Sequence, residues 1–195
     1  MTERPLSDTA ERILDIAQNL IQRRGFNAFS YHDIAVSMGI RKASIHYHFP
    51  GKADLGQAVI ARYRRDLAAL MRQAESGEAD HWTILAAYFH PYFEFARTGD
   101  KVCLCGALAG EFMALSAAMQ AQVSAFFRDH QDWLAKLFAR GRAAGAFVFA
   151  GSPRRMARTV FSALQGGLMV ERATGDRTHL RETVAMLNAA LGGPA

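Results

Sequence analysis

The chain has 195 residues, half of them apolar, and its 23 lysines and arginines outweigh 18 aspartates and glutamates for a net charge of +5. That length fits one domain or a small head on a larger body, and the mild basic balance is compatible with nucleic acid without demanding it. No apolar run is long enough for an ordinary membrane-spanning helix, and the opening MTERPLSDTAERI is too polar for a secretion signal.

The elements, taken in chain order, all read as helices. The first is predicted from Ser7 or Asp8 to Arg24, with Ile13, Ala17, Leu20 and Ile21 on one face and Gly25 as its stop. Phe26 and Phe29 follow in a turn and should pack beneath the next two helices. Ser30 is a good N-cap, and Asp33 three positions on completes a capping box. Ile34, Ala35 and Met38 then recur at helical spacing until Gly39, where a positive φ is easiest for glycine. The third helix runs from about Arg41 to Tyr47. Ile45 and Phe49 point inward, leaving Lys42, Ala43, His46 and Tyr47 on the opposite face. A cation, hydrogen-bonding rings and one small residue suit a major groove. Taken by itself, a helical hairpin with a glycine corner is the alternative.

The fourth helix starts near Lys52 and reaches about Gln73, with Leu55, Val59, Tyr63, Leu67 and Leu70 as its buried stripe. A turn at Glu75–Asp80 precedes a helix from His81 to Arg97 that is apolar on more than one side, with Pro91 expected to kink or break it. Its aromatic residues read first as ordinary core. After Gly99 and Asp100, another helix is predicted from about Val102, and a long one from Ser116 to Ala144. Ser152 and Pro153 open a helix to about Thr174, with Gln165, Gly166 and Gly167 at mid-length. The last helix spans about Thr178 to Leu191. On residues alone, these final two could simply cap the core of their own subunit.

The run G-I-R-K-A-S-I-H-Y-H-F-P-G-K-A-D-L, Gly39 to Leu55, closely resembles the recognition signature of the TetR family of bacterial transcription regulators. Gly39, Ile45, Tyr47, His48, Phe49, Lys52 and Leu55 fit as they stand. His46 replaces a frequent Tyr, and Gly51 replaces a Ser or Asn cap. The resemblance implies an all-α fold, with a helix-turn-helix DNA-binding domain at residues 1–52 and a helical effector-binding and dimerisation domain at 53–195. It implies a homodimeric repressor on double-stranded operator DNA, released by a small-molecule effector. Lys42 and Tyr47 match positions that touch base edges or nearby phosphates. Ser44 and His48 are expected to bind the DNA backbone. Lys52 and Tyr31 are phosphate candidates, and Arg41, Ala43 and His46 complete the face. Phe161, Leu164, Gly166, Gly167, Leu168, Leu180, Val184 and Leu187 are the implied dimer contacts. Trp82, Tyr88, Phe89, Tyr92 and Phe93 are the implied pocket walls.

The second chemical feature is V-C-L-C-G. It resembles the electrophile- and oxidant-responsive branch of that family, typified by the N-ethylmaleimide-sensing repressor, and Cys103 falls on the reactive cysteine. Val102 stands in place of a glycine, and Glu171 roughly where a partner lysine is found. Lys101 and a nearby helix start would favour a thiolate, so Cys103 sensing is an alternative to reversible effector binding. Cys105 lies about 200° further round a regular helix.

No phosphate-binding glycine loop, G-x-S-x-G or H-E-x-x-H occurs. His46 and His48 diverge rather than chelate, and two cysteines without C-x-x-C do not make a zinc site. The expectation is a cytoplasmic regulator with no cofactor, no metal and no enzymatic activity. A cysteine-dependent enzyme and a purely structural helical dimer are the rivals from other classes. Salt-dependent, sequence-selective DNA binding separates the regulator from both.

Overall fold

The computed structural model describes residues 7–77 and 79–193. The first six residues of the polar start, and one residue of the turn before His81, lie outside them. Among the described residues there are nine α-helices and no strand, as the all-α expectation requires.

The chain forms two compact units. One holds the residues up to Arg65 together with Leu104–Ser124. In it, α1 (Asp8–Arg24) is capped by the Ser7 hydroxyl, which accepts the Ala10 N–H, and buries Ile13, Leu14, Ala17 and Ile21. The α2 helix (Tyr31–Met38) carries the full capping box of Ser30 and Asp33 and stops at Gly39 in the left-handed region, φ 66°. The α3 helix is Lys42–His48, one residue later at each end than expected. The α4 helix (Lys52–Glu75) buries Leu55, Val59, Ile60 and Tyr63. Arg62 is buried too, its guanidinium paired with Glu11 at 3.0 Å and Asp15 at 2.8 Å on α1. The expected stripe does not continue: Leu67 is half-buried and Leu70 is 53% exposed, on the stretch of α4 beyond Arg65 that falls outside this unit. The short α6 (Leu104–Gly110), a single 3₁₀ turn at Phe112–Ala114 and the start of α7 (Ala117–Ala143) complete it. The expected helix start near Val102 thus falls two residues later.

The second unit comprises Asp66–Cys103 and the chain from Ala125 onward. The α5 helix (His81–Thr98) runs unbroken through Pro91 and ends at Gly99, φ 75°. The α8 helix (Pro153–Thr174) begins under the Ser152 hydroxyl, with proline in its first turn, and ends at Gly175. It packs against α5 and against α9 (His179–Ala190). Phe126, Leu134, Phe138, Phe147, Leu164 and Leu168 form the centre of this core. Buried Glu171 is satisfied within it, accepting the Leu180 N–H at 2.9 Å at the start of α9.

Candidate DNA-binding site

The recognition helix α3 has two sharply different sides. Ile45 is fully buried and Phe49 nearly so. Arg41, Lys42, Ala43, Ser44, His46 and Tyr47 are exposed, Tyr47 at 84%. A seven-residue helix cannot hold this orientation by itself. It is held by the packing of α3 on α1 and α2 and by the left-handed glycine corner before it. The result is a face of cationic and hydrogen-bonding groups flanking one methyl, with the breadth a major groove accepts.

Inside that face, contacts between rings set the side chains. His46 Nδ1 lies 3.1 Å from the Pro50 carbonyl, and its ring meets the Tyr31 ring edge-on at 4.8 Å. His48 is half-buried, with its ring 5.0 Å from that of Tyr47. Two residues expected at phosphates also bond within the head. Tyr31 is buried and donates its hydroxyl to the Phe49 carbonyl at 2.8 Å, and burial pushes its pKa up to about 12. Lys52 donates to the Phe29 carbonyl while its ammonium sits over the Phe26 and Phe29 rings, 4.7 and 4.4 Å from their centroids. Desolvation there lowers the lysine pKa. Both side chains tie the recognition helix and its neighbours to the rest of the head.

The expected pocket residues belong to the second unit and fall into two groups. Trp82 is half-buried, donates its indole N–H to the Ala146 carbonyl at 3.0 Å, and meets Phe147 edge-on. With Leu85, Ala86, Phe89 and Asn188 it lines a largely apolar hollow of about 200 Å³. Tyr88 and Tyr92 are buried elsewhere in the unit. The Tyr88 hydroxyl lies 3.0 Å from His130 Nδ1 and its ring stacks on Trp133, while the Tyr92 hydroxyl accepts from Gln165 at 3.1 Å. Burial holds the Tyr88 hydroxyl well above its usual pKa. Phe93 stands apart, 37% exposed. Sequence spacing gave no reason to add His130 and Gln165 to this group; both sit within apolar helical patterns, and the only signal was a polar residue on a core face.

Cys103 is 2% exposed and precedes the first residue of α6; both cysteines are free thiols. Among the expected dimer contacts, Phe161, Leu164, Gly167, Leu168, Leu180, Val184 and Leu187 are buried inside the protomer; Gly166 alone is exposed.

The profile described as "Bacterial regulatory proteins, tetR family" matches residues 13–59, and "Tetracyclin repressor-like, C-terminal domain" matches residues 83–187. The chain belongs to the TetR family. A TetR transcriptional regulator from Legionella pneumophila has a closely similar structure, with a TM-score of 0.87 and 32% identity, covering 96% of this chain and 100% of that one. The HTH-type transcriptional repressor BepR of Brucella suis is 33% identical over 73 residues, 37% of this chain and 35% of BepR, so that likeness spans only about a third of the relative. Reduced NemR from Escherichia coli superposes with a TM-score of 0.82 over 96% of this chain, but at 22% identity it shares the fold alone. The protein is therefore a TetR-type, helix-turn-helix transcription regulator.

Proposed function

We propose that this TetR regulator is a homodimeric repressor that holds an operator through the exposed face of α3 and lets go when a small molecule occupies its helical body. The observation that carries the reading is α3 itself, which sends Ile45 and Phe49 into the core and leaves Lys42, Ser44, His46 and Tyr47 to solvent. Residues 1–52 supply the DNA-binding part and 53–195 the effector-binding and dimerising part, with Leu104–Ser124 packed into the same compact unit as the head. Operator contacts come from Arg41, Lys42, Ala43, Ser44, His46, Tyr47 and His48. Tyr31 and Lys52 support them from within.

Dimerisation is supported by what α8 and α9 leave uncovered. Met169 and Val170 on α8 and Met186 on α9 are exposed apolar side chains, Met186 at 71%. Ser162, Gly166 and Ala173 on α8, and Ala185 and Ala189 on α9, are exposed small residues that would let a second copy approach. A two-fold axis through such a patch pairs it with itself. The effector is assigned to the body because the hollow beside Trp82 and Phe89 has mostly apolar walls with one amide, Asn188.

The test is selection of genomic DNA fragments by the purified protein, followed by gel shift across a salt series. The expected result is a pseudo-palindromic site, bound at least about a thousandfold more tightly than random duplex. Binding that depends on salt but not on sequence would overturn the proposal.

A further inference from the structure

The loop joining α1 to α2 is gripped from two sides, and one of the grips comes from far along the chain. Glu111, just past the end of α6, accepts the Phe26 N–H on Oε1 at 2.8 Å and the Asn27 N–H on Oε2 at 2.9 Å. The same Oε2 accepts the side-chain amide of Asn27. Gly25, with φ 90°, faces this carboxylate, and a Cβ there would fall on Oε1. Successive N–H groups converging on one anion make a nest, and bonds to an ionised acceptor are about twice as strong as neutral ones. On the carbonyl side of the loop, Lys52 takes the Phe29 oxygen. Three residues after Asn27, Ser30 starts the capping box of α2, so the placement of the loop sets the placement of α2 and α3.

We propose that Glu111 is a positioning residue for operator recognition: its carboxylate fixes the Gly25–Asn27 corner and thereby the angle at which α3 is presented. The proposal rests on the head reading DNA as described above. It explains why α6, although it lies between two body segments in sequence, belongs to the compact unit of the head, packed on α1. The chain enters α6 directly from Cys103, the last residue of a body segment, and Glu111 follows its last residue.

The test uses the full-length protein and a fragment selected from genomic DNA by the wild type. Glu111→Gln keeps the length and one acceptor but turns an amide NH2 toward the donors of either Phe26 or Asn27; Glu111→Ala removes both acceptors. For folded Glu111→Gln, judged by circular dichroism, operator affinity falls about tenfold or more. Its binding to random duplex at low salt, and the salt slope of that binding, stay as in wild type because the cationic face is intact. Asn27→Asp alone also loses affinity by placing two carboxylates together, whereas Asn27→Asp with Glu111→Gln recovers part of it, a coupling that a double-mutant cycle measures. Operator affinity unchanged in folded Glu111→Gln overturns the proposal, even if the melting temperature drops, since Glu111 would then only stabilise. Equal losses for operator and random duplex overturn it as well. If the wild type itself selects no fragment, the repressor reading fails first and the proposal with it.

Discussion

Tyr47 and Ile45 are two residues apart on a short helix, and one is almost wholly in solvent while the other is fully buried. That contrast makes the outward side chains of α3 removable without touching the core. Lys42→Ala and Tyr47→Ala are therefore expected to keep helical content and melting temperature close to wild type. Each should weaken operator binding by about 1–3 kcal/mol per lost base contact, counted twice in a dimer. Titration of the selected operator by gel shift checks this, and unchanged affinity in both variants would mean that α3 meets DNA by another side. The orientation of α3 was legible in the sequence because a four-residue apolar spacing leaves only one outward face. The bonds that Tyr31 and Lys52 make within the head were not. Spacing places a hydroxyl or an ammonium on a surface, but their acceptors are the carbonyls of Phe49 and Phe29, 18 and 23 residues away. Such bonds exist only once the three helices have packed.

Among the elements, those with capped ends were the most readable. Ser7, Ser30 and Ser152 each cap the helix they were expected to start, and Gly39 and Gly175 stop theirs in the left-handed region. The α6 helix and the 3₁₀ turn after it lacked such marks. C-L-C-G-A-L-A-G has no polar face to set a period, so its start was placed two residues early and the turn was missed. The capping box of α2 makes a pH prediction. Hydrogen bonds from the Ser30 backbone, then from its hydroxyl, hold the Asp33 carboxyl below its ordinary value. A carboxyl depressed in the folded state contributes fully above its unfolded pKa, about 3.9, and loses that contribution as the pH falls through the lower folded value. Wild type should thus melt higher than Asp33→Ala at neutral pH, with the gap closing from about pH 4 downward. Thermal melts of both proteins across that range check it; a gap that widens in acid would show that the box does not need the charge.

At the scale of the whole molecule, two helices, α8 and α9, are expected to pair with their mates, and of the residues assigned to that contact all but Gly166 face into the protomer. The reason is that helical periodicity picks out the strongest apolar stripe, and in a helix packed on both α5 and α9 that stripe is the protomer core. The outward face is made of small residues with a few methionines and a valine, which periodicity alone does not separate from an ordinary surface. Two adjacent glycines separate the core side of α8 from the side proposed to meet a second copy. At Gly166 an added Cβ meets nothing within 4 Å, so an arginine there has room within its own protomer. At Gly167 the Cβ would lie 3.1 Å from Thr183 Oγ1 on α9, leaving no space for a long side chain between the helices. Gly166→Arg is therefore expected to keep its fold but sediment as a monomer, because two like charges would meet across the two-fold axis. It should lose most of its operator affinity, since each head then binds a half-site without the other tethered beside it. Gly167→Arg should instead lower the melting temperature of the protomer itself, by overpacking α8 against α9. A Gly166→Arg protein that remains a dimer in sedimentation and still binds operator like wild type would move the subunit contact away from this face of α8.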